Sequence, residues 1–182
     1  TQPEKAIKLE KDALAQIENI TADNARLVSN LHANLGGLYR MNGYPDLARE
    51  HMEKSISLLD QFNLLHINDS IPQIANYAMF LTEQQEPERG ISELQKLSGI
   101  IKEYHSDDCL DYAKVQETLG TIYLMTANLP QAKTHFKRAF KIYEKIWADE
   151  PEMIEAKYQE IQELYPQIGF CIGKNLSGLL TK

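Results

Sequence analysis

Apolar residues return along this chain in steps of three and four, the spacing of one helix face. Leu31, Leu35, Leu38 and Tyr39 form one stripe, Ile74, Tyr77, Ala78 and Leu81 a second, and Val115, Leu119, Ile122 and Tyr123 a third. Between them run Leu47, Ala48, Met52, Ile56 and Leu59, then Ile91, Leu94, Leu97 and Ile101, then Ala132, Phe136, Ala139, Phe140 and Tyr143. Alternating β-branched runs, the mark of strands, are missing. The pattern predicts an all-α protein. Pro3, Pro45 and Pro87 stand where helices should begin, because a first-turn proline lacks only an N–H that would be unbonded anyway. Asp23 and Asp69-Ser70 read as caps for the helices that follow them.

The stripes repeat at 42 residues without a gap. Gly36, Ala78 and Gly120 coincide, as do Tyr39, Leu81 and Tyr123, then Ala48, Gly90 and Ala132. Each unit therefore reads as helix–turn–helix. Glycine inside a helix costs about 1 kcal/mol relative to alanine. Its recurrence predicts two helices packed too closely for a larger side chain. The expected organisation is the second helix of a truncated repeat over 2–22 and full repeats over 23–66, 67–108 and 109–150. A partial repeat with a C-terminal capping segment follows over 151–182. A first unit without its first helix suggests a piece of a longer protein.

Charge narrows the function. The 182 residues hold 19 Lys and Arg against 26 Asp and Glu, a net charge of −7. Such a surface disfavours nucleic acid and anionic membrane as partners. No apolar run approaches the length of a membrane span, and no secretory signal is recognised, so a cytoplasmic location is expected. Cys109 and Cys171 are far apart and form no CxxC pair. No phosphate-binding loop and no H-E-x-x-H occurs. His32, His51, His66, His105 and His135 show no metal-ligand spacing, and His51 and His135 share a repeat position that points to packing. Asp107-Asp108-Cys109 reads as a helix start capped by acids. No enzyme, cofactor or metal site is expected.

The residues Leu35-Gly36, Tyr39, Gly43 and Ala48, with Leu119-Gly120, Tyr123, Ala132, Phe136 and Ala139, resemble the tetratricopeptide repeat. The 42-residue period is similar to the longer repeat of kinesin light chains. The resemblance implies an α-α superhelix, a solenoid of antiparallel helix pairs whose first helices line a concave groove. By position, that groove would receive Asn30, Ala33, Asn34, Gly37, Arg40 and Met41. The second unit would add Ala75, Asn76, Met79, Thr82 and Glu83, and the third Lys114, Glu117, Thr118, Thr121, Leu124 and Met125. Asn34 and Asn76, with Thr118 next in line, would form a ladder of side chains able to pair with an extended peptide backbone. Met41, Met79 and Met125 would supply an adaptable apolar surface. The basic clamp that other tetratricopeptide domains use for acidic tails is absent: Ala33, Ala75 and Glu117 stand at its places, with Gly37, Met79 and Thr121. The implied function is a protein–protein interaction module that binds a peptide or protein segment in its groove. The alternatives are a peptide-sensing domain of a longer transcriptional or signalling regulator, and self-association through the cut repeat.

Overall fold

The computed structural model describes residues 2–164; Tyr165, Pro166 and the segment expected to cap the array, Gln167 to Lys182, lie outside them. The described residues form α1 (Gln2–Ala15), α2 (Ala25–Met41), α3 (Pro45–Gln61), α4 (Ser70–Glu83), α5 (Pro87–Tyr104), α6 (Leu110–Met125), α7 (Leu129–Ile146) and α8 (Pro151–Leu164). No strand occurs among them, and the all-α helical-repeat expectation is met. None of these helices is long and apolar enough to cross a membrane. The chain divides into two compact units, Thr1–Ile100 and Ile101–Lys182.

In the first unit, α2 and α3 pack as a pair. Leu35, Tyr39, Ala48, Met52, Tyr77, Phe80 and Leu81 form its core, with Ile7 and Leu14 of α1 and Ile56 against it. The small residues do what their recurrence implies. A Cβ on Gly36 would lie 2.6 Å from the Met52 side chain, and one on Gly90 would lie 2.6 Å from the Ala78 carbonyl oxygen. In the second unit α6 packs on α7, and a Cβ on Gly120 would lie 2.9 Å from the Phe136 ring. Tyr143, Phe136, Leu119 and Ile122 are buried there, joined by Ile154 and Ile161 of α8.

The turns between paired helices recur at the same 42-residue interval. Gly43, Gln85 and Ala127 each take a left-handed conformation, with φ of 77°, 66° and 58°. The next amide then reaches back to close the helix: Tyr44 N–H to Tyr39 O, Glu86 N–H to Leu81 O, and Asn128 N–H to Tyr123 O. These bonds satisfy carbonyls that a helix end would otherwise leave open.

The caps correct the sequence reading. Asn24, not Asp23, precedes α2, and its side chain accepts from Thr21 N–H at 2.8 Å. Asp69 does precede α4, but makes no cap bond, because its carboxylate is drawn to Arg26 and Asn30. At α6 the cap is the Cys109 sulfur, which accepts from Tyr112 N–H at 3.4 Å, while Asp108 pairs with Lys145.

Candidate functional site

One stripe of α2 faces one stripe of α4. Its positions are 26, 30, 33, 37 and 40, spaced as a helix face requires. Three of them bridge to the residue 43 places on. Arg26 Nε meets Asp69 Oδ2 at 2.6 Å. Asn30 Oδ1 accepts from Gln73 Nε2 at 2.5 Å. Arg40 Nε donates to Glu83 Oε2 at 2.8 Å, and its second nitrogen donates to Oε1, a two-pronged pair. The two stripe positions between these bridges are Ala33 and Gly37, which have no side chain able to cross.

A cleft opens there. It has a volume of about 210 Å³ and is lined by Ala33, Gly37, Arg40, Met41, Met52, Ser55, Gln73 and Asn76. A second opening, of about 420 Å³, is lined by Asn30, Ala33, Asn34, Asp69, Pro72, Gln73 and Asn76. Ala33, Gln73 and Asn76 belong to both, so the two form one groove with a more apolar and a more polar end.

The floor is pinned by hydrogen bonds. Gln73 Oε1 accepts from Ser29 Oγ at 2.8 Å and from Ser55 Oγ at 2.5 Å, tying α2, α3 and α4 together. All three residues are buried, so these polar groups are satisfied inside the protein. Such a floor holds the groove's shape before anything binds.

Of the residues expected in the groove, the structure gathers Asn30, Asn34, Arg40, Met41 and Asn76 around it. Met41 is 84% exposed. Asn76 is exposed, and Met79 is half-buried beside it in sequence. Asn34 is not a free amide: it donates to Glu10 Oε1 of α1 at 3.0 Å, and Glu10 Oε2 is buried without a hydrogen-bond partner. Glu83 serves as the Arg40 partner.

The remaining expected residues lie on α6 in the second unit. Lys114 is exposed, 3.8 Å from Asp111. Thr118 donates its hydroxyl proton to the Lys114 carbonyl at 2.9 Å. Glu117 accepts from the Tyr143 hydroxyl at 2.5 Å and from Lys157 Nζ at 3.1 Å. Burial works against the Lys157 charge, but the Glu117 and Glu160 carboxylates outweigh it and hold its pKa above the ordinary value. Burial, with Glu117 beside it, pushes the Tyr143 phenol upward. Thr121 is half-buried and Met125 is 43% exposed. Leu124, expected on the groove, is 5% exposed and packs inward.

Sequence reasoning missed several neighbours of the site. Met52 and Ser55 of α3 and Gln73 of α4 line the groove or its floor. It also missed that His32 and His51 meet, Nδ1 to Nδ1, at 2.8 Å. His51 stacks on Tyr39 with ring centres 5.4 Å apart. The same arrangement recurs 84 residues on, where His135 Nδ1 meets Gln116 Oε1 at 2.9 Å and stacks on Tyr123 at 5.2 Å. The shared position of His51 and His135 was the available signal. Burial, then the neighbouring His51, lowers the His32 pKa to about 4, and burial lowers those of His51 and His135. Among the described residues no cluster of three metal-ligating side chains occurs.

The tetratricopeptide repeat family model matches residues 70–145 of this chain. No curated protein matches it in sequence. Among solved structures, the crystal structure of BtubC (BKLC) from P. vanneervenii is similar, with a TM-score of 0.69 and 20% identity. The match covers 79% of this chain and 57% of that one, so the chain spans little more than half of that protein's length. At this identity the likeness is one of fold.

Proposed function

We propose that the α2–α4 groove holds an extended segment of a partner protein: a tetratricopeptide repeat model matches residues 70–145, the fold is of that kind, and such repeats generally mediate protein–protein interaction. The observation that carries this reading is the break in the bridges between the two helices. Arg26–Asp69 and Arg40–Glu83 close the ends, and Ala33 and Gly37 leave the middle open. Asn76 stands in that opening, and its amide can both donate to and accept from a peptide backbone. The pinned floor favours binding, since little ordering is left to lose on this side.

In this reading Asn30, Arg40 and Glu83 hold the walls, while Asn34, Met41, Asn76 and Met79 meet the ligand. Lys114, Glu117, Thr118, Thr121 and Met125 are the corresponding proposal for the second unit, with Glu117 acting through Tyr143 and Lys157. The proposed repeats run over 23–66, 67–108 and 109–150, and the 42-residue period supports the kinesin-light-chain-like type. Selection of random peptides displayed on phage tests the reading. Clones bound by the wild-type chain and lost with a folded Gly37→Leu variant support it. Clones held equally by both contradict it.

A further inference from the structure

We propose that the segment in this groove inserts one uncharged aliphatic side chain, of leucine or methionine size, between Ala33, Gly37, Met41 and Met52, with its backbone on Asn76. The inference rests on the groove being the binding site and specifies what that site takes.

Gly37 is the first argument. Glycine inside a helix is unfavourable relative to alanine, so it needs a reason. Gly36, Gly90 and Gly120 have one, since a Cβ on each would strike a packed neighbour at 2.9 Å or less. A Cβ on Gly37 would meet nothing within 4 Å. Gly99 is equally open, but it lines neither opening. The space left by Gly37 is thus not used by this chain. It adjoins Met41, which is 84% exposed, and Met52. Methionine side chains are flexible and polarizable, and mould around an aliphatic group.

Charge is the second argument. The cations at the two ends are each paired with a carboxylate, Arg26 with Asp69 and Arg40 with Glu83. A charged ligand side chain would be desolvated there without a free partner, which is unfavourable. Behind Asn34 of the polar end, the Glu10 carboxylate is met among the described residues by the neutral Asn34 amide, and its other oxygen is buried and unbonded. An acidic residue arriving beside it would be repelled. The occupant is therefore neutral at the apolar end and not acidic at the other. Asn76 is exposed and carries no hydrogen bond among the described residues, so its amide is available to the incoming backbone.

The test uses the whole chain and a positional-scanning set of acetylated, amidated octapeptides, each pool with one position fixed. Binding is read by fluorescence anisotropy and mapped by backbone amide NMR shifts. The expected result is enrichment of Leu, Ile and Met at one position, with shifts at Gly37 and Asn76. Exchange of that residue for alanine should weaken binding about 10- to 100-fold, as loss of a buried aliphatic side chain implies. Asp or Glu fixed anywhere should weaken binding. Pools that shift Gly37 and Asn76 but select Asp, Glu or no residue type overturn this inference and leave the groove reading standing. Absence of binding by every pool, or binding without shifts at these residues, overturns both.

Discussion

His32 on α2 and His51 on α3 face one another through Nδ1 atoms 2.8 Å apart. One ring must carry its proton there and the other must accept, so the contact is lost if both rings are protonated. Burial lowers the pKa of both, that of His32 to about 4, and Lys54 beside them acts in the same direction against Glu50. Below the ordinary histidine value near 6.5, the unfolded chain takes up protons that the folded chain does not. Stability is therefore full above that pH and falls as pH drops toward about 4. Both rings are half-buried, and with solvent screening the loss should be about 1–2 kcal/mol. Urea unfolding at a series of pH values checks this. His32→Gln, which copies the Gln116–His135 pair, should give a shallower pH dependence; an unchanged slope would contradict the assignment.

The left-handed residues that close the turns within the helix pairs, Gly43, Gln85 and Ala127, differ in how well they suit the conformation. Gly43 adopts it freely, while Gln85 and Ala127 carry a Cβ into it. Gln85→Gly and Ala127→Gly should each stabilise the protein by about 0.5–1 kcal/mol, and Gly43→Ala should cost about 1 kcal/mol. Thermal melts of the three single variants decide the matter, and a lower melting temperature for Ala127→Gly would refute it.

These turns also show where the sequence is readable. Only Gly43 advertises its conformation by residue type, and the closures at Gln85 and Ala127 are legible only through the 42-residue period. The helix pairs are legible because Gly36, Ala78 and Gly120 mark the close approach openly. The groove is less so. The bridges Arg26–Asp69, Asn30–Gln73 and Arg40–Glu83 lie at an offset of 43, not 42, and depend on how two helices settle against each other. Gly37 looks in the sequence like a companion of Gly36, and only the space around each separates a packing glycine from an open one. Asn34 looks free until α1 brings Glu10 to it. Glu117 looks like a groove residue until α7 and α8 supply Tyr143 and Lys157.

That distinction between glycines gives opposite expectations. Gly120→Val drives a side chain into Phe136 and should cost about 1–3 kcal/mol by overpacking. Gly37→Ala enters open space in mid-helix and should stabilise by about 0.5–1 kcal/mol. Chemical denaturation of both variants beside the wild type reads the difference; a destabilising Gly37→Ala would mean that packing, after all, explains the residue.

Lys157 and Glu117 are about one-fifth exposed, with side chains 21% and 18% accessible. Lys157→Met would leave the Glu117 carboxylate with the Tyr143 hydroxyl as its hydrogen-bonding partner in the structure. The expected cost is about 1–3 kcal/mol. Adding Glu117→Gln should recover part of it. A double-mutant cycle by urea unfolding measures the coupling, and additive losses would show that the pair is not coupled.

The central claim is that the opening at Gly37 receives a partner. Its most direct test is the dissociation constant of one selected peptide, by calorimetry, for the wild type and for Gly37→Leu. The variant's fold is verified by circular dichroism. The account predicts that the leucine fills the cleft and weakens binding at least about tenfold while the protein stays folded. An unchanged dissociation constant in a folded Gly37→Leu protein would place the binding surface elsewhere.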